Sequence, residues 1–295
     1  MTPDRIPATA PPLAGRYVLI DQIGSGGMGV VWRAWDLRRR RFVAAKVLGH
    51  HDSPLLLRFV REQSVRVEHR HVVAPTGWAA EDDLVVFTMD LVRGGSVDTL
   101  LAGHGPLPEA FVAVVLEQTL EALAAIHAAG VVHRDIKPAN LLLEATGAGR
   151  PCVRVGDFGV AAVVDDVRLT RVPGAVGTDG YMAPEQAAGV AADPRQDLYA
   201  VGVVAIQMLT GVPPRAHPPS HPAPPGRLAP LLAAMTSDDP TVRPASATVA
   251  RRRRSAESGA ADAPWPRSLR SMGAGPRQFR YRSGRSGSDR ACRRW

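Results

Sequence analysis

Lysine is almost missing from this chain. Its 295 residues carry 36 basic side chains, and all but two of them, Lys46 and Lys137, are arginine. The abundance of Ala, Gly, Pro and Arg points to a GC-rich coding bias that replaces lysine wherever positive charge alone suffices. A lysine that survives this bias marks a position where a compact ammonium is required and a guanidinium fork does not serve, as against a phosphate in a confined space. Cysteine is equally scarce. Cys152 and Cys292 lie far apart without metal-ligand spacing, which excludes a disulfide scaffold or a zinc module and fits a reducing, cytoplasmic compartment. Long apolar runs are missing too: the most apolar stretch, Leu198–Val212, is about 15 residues and follows Arg195 and Asp197, so it reads as a buried core helix and not a membrane span. Residues 1–15 hold four prolines and lack the apolar core of a signal peptide, so a disordered leader is expected and export is not.

What is present is enough for a folded protein. Hydrophobic residues make up 45% of the chain, and the length suits one large domain or two modest ones. The net charge of +8 is unevenly spread: from Ser246 onward 13 arginines face three acids, a local charge of +10, which leaves residues 1–245 at about −2. No basic groove follows for the folded part, and no specific nucleic-acid partner is expected. Residues 251–295, rich in Arg, Ser, Gly, Ala and Pro, read as a basic, disordered tail. Their composition also resembles an out-of-frame reading of GC-rich sequence, so a functional tail and a frameshift product are both open.

Between leader and tail the pattern divides in two. Short β-type runs occur at Tyr17–Ile23, Val30–Asp36, Phe42–Leu48, Val72–Trp78 and Leu84–Met89, with a helix expected over Ser53–Val67, where Ser53 is the N-cap and Pro54 the first helical residue. After Arg93-Gly94-Gly95-Ser96 the period changes to about 3.6, with Leu116, Leu120, Leu123 and Ile126 on one face of a helix over Pro108–Ala129. Strands are expected near Leu141–Leu143 and Val153–Gly156, and the proline-dense Gly211–Pro225 is a loop.

Four constellations carry chemistry. Ile23-Gly24-Ser25-Gly26-Gly27-Met28-Gly29 sets glycines at G-x-G-x-x-G spacing between two strands, where backbone amides can lie over phosphates; β-type Val30-Val31-Trp32 follows in place of the helix a dinucleotide fold needs. Phe42-Val43-Ala44-Ala45-Lys46 puts one lysine at the end of a neighbouring strand. Glu62 is the favoured carboxylate to hold its ammonium toward phosphate oxygens, and Glu68 is the competitor. The stretch Val132-His133-Arg134-Asp135-Ile136-Lys137-Pro138-Ala139-Asn140 holds the second lysine. Here Asp135 can take a proton from a hydroxyl, Lys137 can neutralise a transferred phosphoryl group, and Asn140 can ligate a metal. Asp157-Phe158-Gly159 then offers a carboxylate for Mg²⁺.

These motifs, in this order and with Ala183-Pro184-Glu185 after them, resemble the eukaryotic-type protein kinases, closest in flavour to the bacterial serine/threonine kinases of actinobacteria. The resemblance covers about Tyr17 to Arg243. It implies an α+β, two-lobed fold with a β-rich N-lobe over about 16–92 and a mainly helical C-lobe over about 93–250, ATP with Mg²⁺ (or Mn²⁺) in the cleft, and Lys46, Glu62, Asp135 and Lys137 as catalytic residues. It places Val31, Ala44, Met89 and Leu142 around adenine, with a hinge at Asp90-Leu91-Val92. Asp197 would anchor the catalytic loop and Glu185 would pair with Arg243. Lys137 with Thr178 in a substrate-binding turn resembles kinases that act on Ser and Thr of proteins. Arg134 beside Asp135 implies control by activation-loop phosphorylation, with Thr170 as phosphosite and self-association for autophosphorylation.

The chain departs from the family pattern in three places. The gaps from Lys46 to Glu62 and from Glu62 to His69 are short, Arg66 stands where the family prefers an apolar residue, and Pro213–Pro225 replaces a longer substrate-docking region. A non-catalytic pseudokinase, a small-molecule phosphotransferase of similar fold and nucleic-acid binding through the tail are the rival readings. Intact Lys46, Asp135, Asn140 and Asp157 oppose the first, and the Ala183-Pro184-Glu185 and Thr178 elements oppose the second.

Overall fold

The computed structural model describes residues 11–26, 29–48, 67–81, 84–147, 149–157, 162–163, 178, 180–214 and 224–258. They fall into two compact units, the first drawn from the chain up to Glu68 and from Val73–Val92, the second from His69–Val72 and the chain from Arg93.

The first unit is one antiparallel sheet. Strands β1 (Tyr17–Gly26), β2 (Gly29–Asp36), β3 (Arg41–Leu48), β4 (Pro75–Glu81) and β5 (Leu84–Asp90) line up in the order β1-β2-β3-β5-β4. Short links leave β2–β3 and β4–β5 no option but antiparallel pairing. Side chains alternate between the faces. On one face Tyr17, Ala34, Val43, Ala45 and Val86 form a buried cluster, where full burial of each larger apolar side chain stabilises by roughly 1.5–3 kcal/mol. The register Val31↔Lys46, Ala44↔Met89 and Lys46↔Phe87 puts those residues on the opposite face.

Two expected boundaries shift in this unit. The leader was expected to be disordered through residue 15, yet Leu13 exchanges backbone hydrogen bonds of 2.9 Å with Tyr17, packs against the Tyr17 cluster, and the Ala14 N–H donates to Glu81 Oε2 at 2.6 Å. One apolar residue just before a turn suffices to dock this segment on the sheet. The strand expected at Val72–Trp78 begins instead at Pro75, because His69–Val72 belongs to the second unit: Val72 bridges Val155, and the Val155 N–H donates to the His71 carbonyl at 2.8 Å. A proline without an N–H is tolerated as the first residue of a strand. The helix expected over Ser53–Val67 lies largely outside the described residues.

The second unit is built on α2 (Glu109–Ala128), which follows α1 (Val97–His104). Leu116, Leu120, Leu123 and Ile126 are all buried in it. By length and composition α2 could cross a membrane, but here half of its residues are buried inside the unit, against strand Val153–Val155 and the later helices Pro194–Thr210 and Ala247–Ser258. Strands β6 (Val131–Val132) and β9 (Ala162–Val163) pair with each other, as do β7 (Leu141–Leu143) and β8 (Val153–Val155). After the single turn of α3 (Pro184–Ala187) comes α4 (Pro194–Thr210), capped by the Asp193 side chain on the Arg195 N–H and ended by Gly211 at φ 72°. Gly202 lets α5 (Ala229–Met235) approach: a Cβ there would lie 2.8 Å from the Thr236 methyl and 3.0 Å from Met235 Cβ.

The tail was expected to be disordered from Arg251. Helix α6 (Ala247–Ser258) instead carries regular structure eight residues past that boundary. Ala247 and Ala250 are buried, and Arg251 Nη1 lies 3.2 Å from Glu121 Oε1 on α2. Alanines need little area to seat a helix on a neighbour, so an aliphatic-poor composition was a poor guide here.

Glu121 also receives Arg70 at 3.0 Å and stands 3.4 Å from His71 Nε2. His71 is buried, with Nδ1 donating to the Val153 carbonyl at 2.6 Å. Burial pushes its pKa down from 6.5 to about 4, although the Val153 carbonyl pulls the other way. The folded protein therefore keeps His71 neutral while the unfolded chain binds a proton below about 6.5, so stability is lost as pH falls from about 6.5 to about 4. Denaturant titrations at about pH 7 and pH 5 should show the wild type losing about 2 kcal/mol more than His71→Gln; equal losses would remove His71 as the cause.

Candidate active site

The loop after β6 is held from beneath by a buried carboxylate. Asp197, in the first turn of α4, accepts from the His133 N–H at 2.9 Å, the Arg134 N–H at 2.8 Å and His127 Nε2 at 2.8 Å. Burial alone would raise its pKa, but the hydrogen bond and charge of His127 and the His133 N–H outweigh it and hold the carboxyl below its ordinary range. Arg134 takes φ 66°, in the left-handed region that non-glycine residues avoid. His133 joins this loop to the next: Nε2 donates to the Gly156 carbonyl at 3.1 Å, and Nδ1 is 3.3 Å from the Asp135 N–H. The single tautomer protonated at Nε2 serves both contacts.

Asp135 is the centre of the polar cluster so positioned. Thr178 Oγ1 donates to its Oδ1 at 2.8 Å, Lys137 Nζ lies 2.8 Å from Oδ2, and Asn140 Nδ2 is 3.2 Å from Oδ2. Lys137 also donates to Thr178 Oγ1 at 2.9 Å, closing the ring. A carboxylate offers about four lone-pair positions, and among the described residues these contacts occupy both positions on Oδ2 and one on Oδ1. The remaining position on Oδ1 can accept from a hydroxyl.

Asn140 ends a 3₁₀ turn (Pro138–Asn140) and donates from Nδ2 to the Asp135 carbonyl at 2.7 Å. Its own carbonyl accepts from the Gly156 N–H at 2.9 Å, which ties the residue before Asp157 to Asn140. Asp157 has φ 59°. An amide oxygen and a carboxylate are the hard oxygen donors that a divalent cation takes. Downstream, the buried Arg243 guanidinium grips the Glu185 carboxylate bidentately at 2.6 and 2.9 Å and stacks 4.8 Å from the Tyr199 ring.

In the first unit the nucleotide candidates follow the sheet register. Ile23, Gly24, Ser25 and Gly26 lie in β1; Val31, Ala44, Lys46 and Met89 share one face across β2, β3 and β5, and Ala44 and Lys46 are buried. Asp90 ends β5, its carboxylate 3.2 Å from Arg41, and Val92 follows it. Gly29 is required by the backbone: at φ 128°, a Cβ would stand 2.4 Å from the Val47 carbonyl oxygen. Leu142 is in β7 of the second unit, opposite Arg154. Gly27, Met28, Glu62, Arg66, Phe158 and Thr170 lie outside the described residues, so the pairing of Glu62 with Lys46 has no geometry here.

Sequence reasoning missed His127 and Gln186. Both are buried or nearly so and act on the loop from α2 and α3, His127 through Asp197 and Gln186 Nε2 by donating to the Arg134 carbonyl at 2.9 Å. Neither belongs to a short motif with a readable purpose; a histidine in the last turn of an apolar helix was the one available signal.

Comparison with known proteins agrees with this geometry. Residues 17–225 match the protein kinase domain. The chain is 35% identical over 312 aligned residues to the serine/threonine-protein kinase pkn3 of Myxococcus xanthus, covering 90% of this chain and 57% of that protein. It is 38% identical over 222 residues to PkaA of Streptomyces coelicolor, covering 69% and 40%, and 37% identical over 212 residues to PknL of Mycobacterium tuberculosis, covering 70% and 52%, both named serine/threonine-protein kinases. The chain thus spans about half the length of these relatives. A β-sheet unit, a helical unit and a family match over most of the sequence establish a two-lobed α+β fold, and the chain belongs to the protein kinase family.

Proposed function

We propose that this chain transfers the γ-phosphoryl group of ATP to Ser and Thr hydroxyls of proteins, its own chain included. The observation that carries this reading is the closed ring of Asp135, Lys137 and Thr178, with Asn140 on the same carboxylate. The incoming hydroxyl donates to Asp135 Oδ1 and gives up its proton there. Its oxygen forms the new bond to the γ-phosphorus as the bond to the bridging oxygen breaks and ADP leaves. Lys137 meets the charge on the phosphoryl oxygens. Lys46, on the sheet face it shares with Val31, Ala44 and Met89, meets phosphate oxygens as a point charge, while the three apolar residues face the base. Asn140 and Asp157 would hold Mg²⁺ or Mn²⁺, which when bound neutralises charge on the phosphates.

Two finer readings belong to the same proposal. Thr170 is the activation-loop phosphosite, and Arg134 is the guanidinium that meets it, with one copy of the chain acting on another. A cytoplasmic location suits an enzyme that draws on ATP and protein hydroxyls.

Incubation of the full chain with labelled ATP, Mg²⁺ and a Ser/Thr peptide, followed by phosphosite mapping, tests the reaction, the residue class and the site of self-modification together. Asp135→Asn keeps the shape and removes the proton acceptor, so turnover should fall by about 10²–10⁴-fold with ATP binding retained; near-normal turnover would move the proton acceptor elsewhere. Lys46→Arg keeps the charge but replaces the compact ammonium, and the folded variant should lose more than about nine-tenths of the rate. Full activity in that variant would cancel the point-charge role.

A further inference from the structure

Four non-glycine residues take positive φ among the described residues: Ala14, Arg40, Arg134 and Asp157. Ala14 and Arg40 are in turns at the surface of the first unit. Arg134 is different, because it stands inside the loop that presents Asp135. A left-handed non-glycine backbone persists only where its surroundings over-determine it, and here both ends of the residue are gripped. Its N–H donates to Asp197 Oδ1 at 2.8 Å, and its carbonyl accepts from Gln186 Nε2 at 2.9 Å. The first grip accompanies the anchoring of the loop on α4. The second comes from α3, the single turn that follows Ala183.

The Arg134 carbonyl and the Asp135 N–H belong to one planar peptide unit, which moves as a rigid plate. Gln186 holds the oxygen edge of that plate, and His133 Nδ1 lies 3.3 Å from its nitrogen edge. Turning the plate swings the Asp135 Cα and withdraws the carboxylate from Thr178, Lys137 and Asn140. Gln186 can act as a fixed post because its own turn is fastened: Glu185 is gripped bidentately by Arg243, the Val190 N–H donates to the Glu185 carbonyl at 2.9 Å, and Gln186 is only 3% exposed.

We infer that Gln186 is a positioning residue for phosphoryl transfer, setting the Arg134–Asp135 peptide plane and thereby the aim of the Asp135 carboxylate. The inference rests on the reading of Asp135 as the proton acceptor. It makes the segment after Thr178 part of the catalytic geometry as well as of the substrate side.

The test compares full-length wild type, Gln186→Leu and Gln186→Glu in peptide phosphorylation, with thermal unfolding of each. Gln186→Leu fills similar space and removes the donor, so kcat should fall by about 10–100-fold, the scale of a misplacement near one ångström, with KM for ATP unchanged. Gln186→Glu supplies the distinguishing readout. Its ionised carboxylate would oppose the Arg134 carbonyl, whereas its protonated form donates again, so its kcat relative to wild type should rise as pH falls from about 8 to about 6. The charged groups around the position are Glu185 with Arg243, Arg134, Asp135 and Asp197, all present in both proteins. Wild-type kcat in folded Gln186→Leu, or a Gln186→Glu ratio flat with pH, would overturn the inference while the wild-type enzyme still transfers phosphate. A wild type that transfers none would overturn the reading of the site instead.

Discussion

One buried carboxylate sets the terms for the helical unit. Asp197 is enclosed at the start of α4 and keeps its charge through three donors, two of them backbone N–H groups of consecutive residues in the loop after β6. Removing a partner from a buried charge costs about 3–5 kcal/mol, so the loop and the helix are fixed to each other by a penalty comparable to much of a domain's net stability. Arg134, whose N–H Asp197 accepts, takes φ 66° beside Asp135. Sequence, strain and chemistry meet within five residues.

The two lysines were the most legible part of the site. Under a composition that converts nearly every other lysine to arginine, Lys46 and Lys137 stand out by composition alone, and Lys137 lies within 2.9 Å of both Asp135 and Thr178. The shared face of Val31, Ala44, Lys46 and Met89 was also within reach, since strand alternation fixes it once the register is known. What could not be read were contacts made through backbone atoms. Nothing in the spelling of His69–Val72 says that these residues leave the sheet and extend the helical unit through the His71 carbonyl. For the same reason Gln186 was invisible: its target is a carbonyl, which every residue has.

The misplaced boundaries have a common cause. The leader and the tail were assigned from composition, which reports whether a segment can build a core but not whether it can lie on one already built. Leu13 and the pair Ala247 and Ala250 need only a small patch of a finished surface. Charge helped at the second site, where Arg251 meets a carboxylate that already serves Arg70. An exposed pair of this kind contributes at most about 1 kcal/mol, so the buried alanines and the helical hydrogen bonds carry most of the attachment.

The long apolar helix α2 has a consequence for how the chain comes off the ribosome. Its packing partners α4 and α6 end at Thr210 and Ser258, roughly 80 and 130 residues after α2 is complete. At about 5–20 residues per second, the part of its buried side that β8 does not cover waits several seconds. During that interval the nascent chain presents a 20-residue segment that, by length and composition, would also satisfy a bilayer. The same helix that centres the finished unit is therefore exposed as an apolar segment during synthesis, and it is its burial against later elements, with Glu117 and Glu121 paired to Arg150 and Arg70, that makes it a core helix in the folded chain.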